Sequence, residues 1–254
     1  MKDLKRVVAV VLVFTAGTVF AARPLAVDDA GVVDKGQLEV EIGARVVHDS
    51  ACDAWEIPVG LTAGVLPNIA VGIGFGGQFE ERSHIAGKDH ESGLGDLVLG
   101  AKWGFLSETN WLPAQALSFS VKFPTADDDK GLGSGEIDYD LTWIASKMLT
   151  ETVGLHVNAG YSWIGEPAGE EVGDIAHYGA ALDAQLNETV QWVGEVFAEK
   201  ELQGGTQTVV QYNTGFRWSA SDALTLDLAA GSSLHGDDAP DFAATLGLTW
   251  AFGL

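Results

Sequence analysis

From residue 38 onward, apolar and polar residues take turns along the chain. Leu38, Val40, Ile42, Ala44 and Val46 share one face of an extended segment, while Glu39, Glu41, Gly43 and Arg45 share the other. A period of two is that of a β-strand with one apolar and one polar face. The pattern recurs about twelve times before the C-terminus, as in Leu117, Phe119, Val121, Phe123 against Ser118, Ser120, Lys122, and Ile137, Tyr139, Leu141, Trp143 against Asp138, Asp140, Thr142. The ninth segment is the weak one. Trp192, Val196 and Ala198 oppose Glu195 and Glu199 there, but Val193 and Phe197 stand on the polar side.

The connections alternate in length. Residues 66–68, 106–112, 148–152, 187–189 and 219–223 form short links, whereas 48–54, 79–93, 124–135, 165–174, 200–206 and 235–241 are longer and acidic. An even strand count with one short-turn rim and one long-looped rim predicts hairpins closed into an outer-membrane barrel. A secreted β-sandwich would also alternate. The aromatic residues separate the two: Trp55, Phe75, Trp103, Phe123, Tyr139, Trp163, Tyr178, Trp218 and Trp250 stand on the apolar face, many near strand ends. Rings there meet lipid headgroups, whereas a sandwich core concentrates its bulk at strand centres. The predicted fold class is all-β: a single closed antiparallel transmembrane barrel of about twelve strands over residues 23–254.

Residues 1–22 read differently. Lys2, Lys5 and Arg6 precede an apolar run from Val7 to Phe20, and small residues follow at Ala21 and Ala22. This is the pattern of a secretory signal peptide, and the run is too short to span a bilayer as a helix. Cleavage near Ala21 or Ala22 takes the net charge from −22 to −24. Such acidity argues against nucleic acid as a partner. The lone Cys52, placed unpaired in the first loop, excludes an internal disulfide framework.

Strand parity directs one set of ionisable residues inward. The acids are Glu39, Glu41, Asp96, Asp138, Asp140, Asp183, Glu195, Glu199 and Asp227; the bases are Arg45, Lys102, Lys122 and Arg217. His156 and His177 share this face. Two readings stay open: an ionic network that fills the lumen, or a narrow path whose acidic excess favours cations. A third, a lipid hydrolase using Ser, His and Asn or Asp among His156, Asn158, Ser162 and His177, has no motif to fix its geometry, so no enzyme activity is predicted.

Asp127, Asp128 and Asp129 suggest a cation loop. The spacing fails the calcium-hand pattern, because Leu132 falls where its turn glycine belongs and the flanks are strands. A solvated loop tip is the plainer reading, and divalent-cation bridges to lipopolysaccharide phosphates, joined by Asp237 and Asp238, the functional one. His84 and His90 in the long third loop are too loosely spaced to define a metal site. No cofactor is predicted. The expected partners are outer-membrane lipid and lipopolysaccharide, together with the barrel assembly machinery.

The stretches RPLAVDDAGVVDKGQLEVEIG, GLGDLVLGAKWGF, VKFPTADDDKGLGSGEIDYDLTWIASK, NAGY and GEVF occur in this order. Together they resemble the Gram-negative outer-membrane family labelled MetA-pathway of phenol degradation, whose members are described as transporters. The resemblance runs from Arg23 to about Glu199, and it implies an outer-membrane channel or transporter for small, hydrophobic or aromatic solutes. A structural or surface-interaction barrel with a salt-bridged lumen is the alternative. Leu246, Leu248, Trp250, Phe252 and Leu254 resemble a terminal barrel-assembly signal, except that such signals usually end on Phe or Trp.

Overall fold

The structure, a computed structural model, describes residues 23–49, 53–81, 90–169, 171–203, 206–236 and 240–253. The leader, Cys52, His84, Asp237, Asp238 and Leu254 lie outside the described residues. Thirteen strands follow one another: β1 Gln37–His48, β2 Asp53–Leu66, β3 Ile69–Glu81, β4 His90–Leu94, β5 Leu97–Leu106, β6 Ala114–Phe123, β7 Asp138–Met148, β8 Val153–Trp163, β9 Ile175–Gln185, β10 Val190–Glu201, β11 Val209–Ser219, β12 Leu224–His235 and β13 Phe242–Gly253. All pairings between these strands are antiparallel, consecutive strands pair except β4 with β5, and β1 pairs with both β2 and β13, so the sheet closes on itself. Closure leaves no sheet edge in the hydrocarbon, where an unpaired backbone N–H or C=O costs several kcal/mol.

Short β4 pairs only with the loop-side end of β3, and β5 takes over from Gly74 downward. Gly95 and Asp96 separate the two pieces, which act as one interrupted stave, so the ring is twelve-stranded. The β3–β4 pairing reaches Glu81 and His90, which carries strand into the loop expected over 79–93.

The two faces follow parity. Trp55, Phe75, Trp103, Leu141, Trp218, Leu228, Leu246 and Trp250 project outward and are exposed, as a lipid-facing band requires. Thr142, Asn158, Ser162, Gln211 and Asp227 are buried on the inner wall. The ninth segment, β10, keeps the same parity, and its inward Val193 and Phe197 are buried with Leu25 and Val27. The break in its alternation therefore marks something apolar inside the barrel. That something is the chain's own N-terminal segment.

The 124–137 loop is compact. Asp127 caps Lys130 N–H and Asp128 C=O accepts from Gly131 N–H, while Leu132 is fully buried and meets Gly93 of β4. The Asp127 side chain thus serves a local turn.

Candidate functional site: the lumen and the segment that crosses it

Residues 23–30 lie against the inner wall and have no alternating pattern of their own. Arg23 donates to Asp227 from Nε and Nη2 at 3.2 Å each, and from Nη2 to Thr245 Oγ1 at 3.0 Å. The Asp227 side chain is 1% exposed. Gly43 and Gly247 face each other across β1 and β13. A Cβ on either would come within 2.3 Å of the guanidinium, so this glycine pair is the slot that admits Arg23.

Further along, the wall holds the segment chiefly by its backbone. Arg217 Nε donates to Arg23 C=O at 2.6 Å. Glu195 accepts from Ala26 N–H at 2.9 Å and Val27 N–H at 2.7 Å, and Asn213 donates to it at 2.6 Å. Asn158 closes a two-way contact with Asp28, accepting its N–H at 2.6 Å and donating to its C=O at 2.9 Å. Ser146 Oγ accepts from Ala30 N–H at 2.8 Å. Lys102 pairs with the Asp28 carboxylate at 2.7 Å, both buried. Leu25 and Val27 pack on Ala181, Val193 and Phe197, and Ala30 on Ala116 and Ile144. Beneath Val27 a Cβ at Gly179 would intrude at 2.6 Å. The chain then leaves the lumen by the short-turn rim, where Gly36 N–H donates to Gly64 C=O at 2.8 Å before β1 begins.

On the long-loop side of this crossing lies a cavity of about 190 Å³. Its floor is Arg23, Pro24, Leu25 and Ala26, and its walls carry Glu41, Arg45, Glu56, Gln78, Lys122, Gln211 and Asn213. Arg45 pairs with Glu56 at 3.1 Å. Lys122 lies 3.5 Å from Asp96, pairs with Asp138 and donates to Ser134 at 2.7 Å, while Asp96 also accepts from Thr125 and Ala126 N–H at 2.9 Å. Lys122 thereby ties the 124–137 loop to the wall.

The remaining parity-assigned residues fall into two groups. Asp138 accepts Gly165 N–H, and Asp140 gathers Thr142, Ser162 and His177. Asp183 binds His156 and Gly154 N–H. Glu41 makes one long contact, 3.4 Å from Thr249 Oγ1. Glu39 and Glu199 make no hydrogen bond or ion pair among the described residues.

Strand parity puts Ser146 on the inner face of β7, but the sequence did not single it out. Its Oγ lies 2.8 Å from His156 Nδ1, and His156 Nε2 lies 2.8 Å from Asp183 Oδ2. The connectivity is that of a hydrolase relay, but the hydroxyl is engaged by Ala30 N–H and sits under the N-terminal segment. Ser162 donates to Asp140 and Asn158 holds Asp28, so the residues considered for catalysis do not converge on one reacting point.

Comparison with solved structures places this arrangement among outer-membrane barrels. The chain is similar to the COG4313 outer membrane channel from Pseudomonas putida F1, with a TM-score of 0.75 and 14% identity over 88% of this chain and 98% of that one. It is also similar to the NanC porin, with a TM-score of 0.59 and 8% identity over 84% and 98%. The CymD monoaromatic hydrocarbon channel follows at 0.50 and 8% over 87% and 89%. At these identities the likeness is one of fold. No curated protein matches the chain in sequence. A family model matches residues 21–252, and the chain belongs to the family described as "Putative MetA-pathway of phenol degradation".

Proposed function

We propose that the protein is a channel of the outer membrane that admits small solutes through its lumen. The observation that supports this most is the cavity of about 190 Å³ inside a closed barrel, lined by charged residues such as Glu41, Arg45 and Lys122 together with apolar ones such as Leu25, Val98 and Phe197, and bounded below by a thin segment rather than by a filled core. Ring closure and an exposed apolar band suit a lipid setting, and the polar inner wall suits water and solute. The family's description and the likeness in fold to the CymD monoaromatic hydrocarbon channel favour hydrophobic or aromatic solutes. Export with cleavage near Ala21 or Ala22 belongs to the same reading, since it would leave Arg23 close to the mature N-terminus. So does a role without catalysis, because Ser146 serves the segment.

A second reading has its own support. The Arg23–Asp227, Lys102–Asp28 and Lys122–Asp138 pairs and the crossing segment occupy much of the lumen, which suits a closed structural barrel. Ion current across planar bilayers and solute-dependent swelling of liposomes separate the two. The channel reading expects both. Neither current nor swelling from a heat-modifiable, folded barrel would refute it in favour of the closed one.

A further inference from the structure

Six backbone groups of residues 23–30 are taken up by four side chains of the wall: Arg217 on β11, Glu195 on β10, Asn158 on β8 and Ser146 on β7. This is how a protein reads an extended peptide, with main-chain bonds supplying affinity and pockets for side chains supplying specificity. The pockets are present too. Val193, Phe197 and Ala181 receive Leu25 and Val27, Gly179 leaves room for Val27, and the Gly43–Gly247 slot takes Arg23. None of these wall features is needed to close a barrel. An acidic side chain on an inner wall reaches water without help, yet Glu195 is 4% exposed and spends its carboxylate on two consecutive peptide N–H groups.

We propose that the inner wall of β7–β11, together with Asp227 of β12 and Lys102 of β5, is a peptide-binding groove, and that residues 23–30 are its resident ligand, a tethered plug that can leave and return. The groove takes an extended peptide with a cationic first residue, apolar third and fifth residues and an acid at the sixth. Asp227 recognises the cation, the β9–β10 apolar patch the two side chains, and Lys102 the acid. While the plug is docked it floors the solute cavity. When it leaves, the lumen is continuous from rim to rim. Only this gating consequence rests on the channel reading; the groove itself does not.

The test uses a chain lacking residues 23–30 and a fluorescent synthetic peptide, Arg-Pro-Leu-Ala-Val-Asp-Asp-Ala, in detergent micelles and in planar bilayers. Anisotropy is expected to show saturable binding of the peptide to the shortened barrel, competed by unlabelled peptide, and loss of binding when the third residue is Asp. The full chain, with its groove occupied, is expected to bind none. In bilayers the shortened barrel is expected to pass more current than the full chain, and added peptide to remove that increment. Absence of binding to a shortened barrel that still migrates as a folded, heat-modifiable band overturns the groove, and so does equal binding by both chains. If the shortened chain does not fold, full-length protein carrying Leu25→Asp and Val27→Asp replaces it, with the same outcomes. Peptide binding with no current from either chain would leave the groove standing and refute the channel.

Discussion

Replacing Glu195 by Ala removes the one carboxylate that accepts from both Ala26 and Val27 N–H, at 2.9 and 2.7 Å. Hydrogen bonds to a charged group contribute about 1.5–3 kcal/mol each. Water can enter the vacated space beside the cavity, so the lower end applies, and two such bonds give about 3 kcal/mol in favour of the undocked segment. At about 1.4 kcal/mol per decade, that is a roughly 100-fold shift of the docking equilibrium. The strands keep their ladders, because none of the lost bonds belongs to the sheet. Hydrogen exchange read residue by residue in micelles is the assay. Ala26 and Val27 amides should exchange roughly 100-fold faster, those of β7 and β8 at their former rates, and Glu195→Gln, which keeps an acceptor oxygen, should fall between. Unchanged exchange at Ala26 and Val27 would refute the docking geometry; faster exchange throughout the strands would show that Glu195 supports the barrel instead.

Other consequences follow from the same contacts. Arg23→Ala removes both hydrogen bonds that the guanidinium gives the Asp227 carboxylate, whose side chain is 1% exposed, and should lower stability to denaturant in micelles by about 3 kcal/mol. An open lumen should prefer cations, read as a reversal potential in a salt gradient, and Asp138→Asn should change that preference little, since Lys122 already neutralises Asp138. That preference should fade as the screening length shrinks from about 10 Å at 0.1 M to about 3 Å at 1 M salt. Lys122→Met removes the cation between Asp96 and Asp138, so the 124–137 loop should become the first site of limited proteolysis while the barrel stays heat-modifiable.

Most of the barrel was legible in the sequence because a strand with unlike faces writes its geometry as a period of two. The β7 alternation of Tyr139, Leu141 and Trp143 against Asp140 and Thr142 is the same in sequence and in structure. The N-terminal segment was not legible. The wall holds it mostly by its peptide groups, which every sequence has, so Ala26 or Asp28 carries no mark of Glu195 or Asn158. The marks lay on the wall. Val193 and Phe197 broke the parity of β10, and Gly43 and Gly247 were small where any polar residue would serve a lumen. Both signals look like noise until something is known to lie inside. Parity also says where a charge points and not whom it meets: Asp138 and Glu199 share one assignment, yet of the two only Asp138 is in an ion pair among the described residues. Ser146 escaped notice because its histidine and aspartate partners come from two other strands, a proximity set by barrel register.

A membrane barrel requires β7 to have one face in lipid and one in the lumen. Nitroxides placed singly at Tyr139, Asp140, Leu141, Thr142 and Trp143 in outer-membrane vesicles, with Cys52 replaced, report this through collision with dissolved oxygen, which concentrates in lipid. Oxygen accessibility should be high at 139, 141 and 143 and low at 140 and 142. Uniform accessibility along the strand, or high values at 140 and 142, would contradict this arrangement.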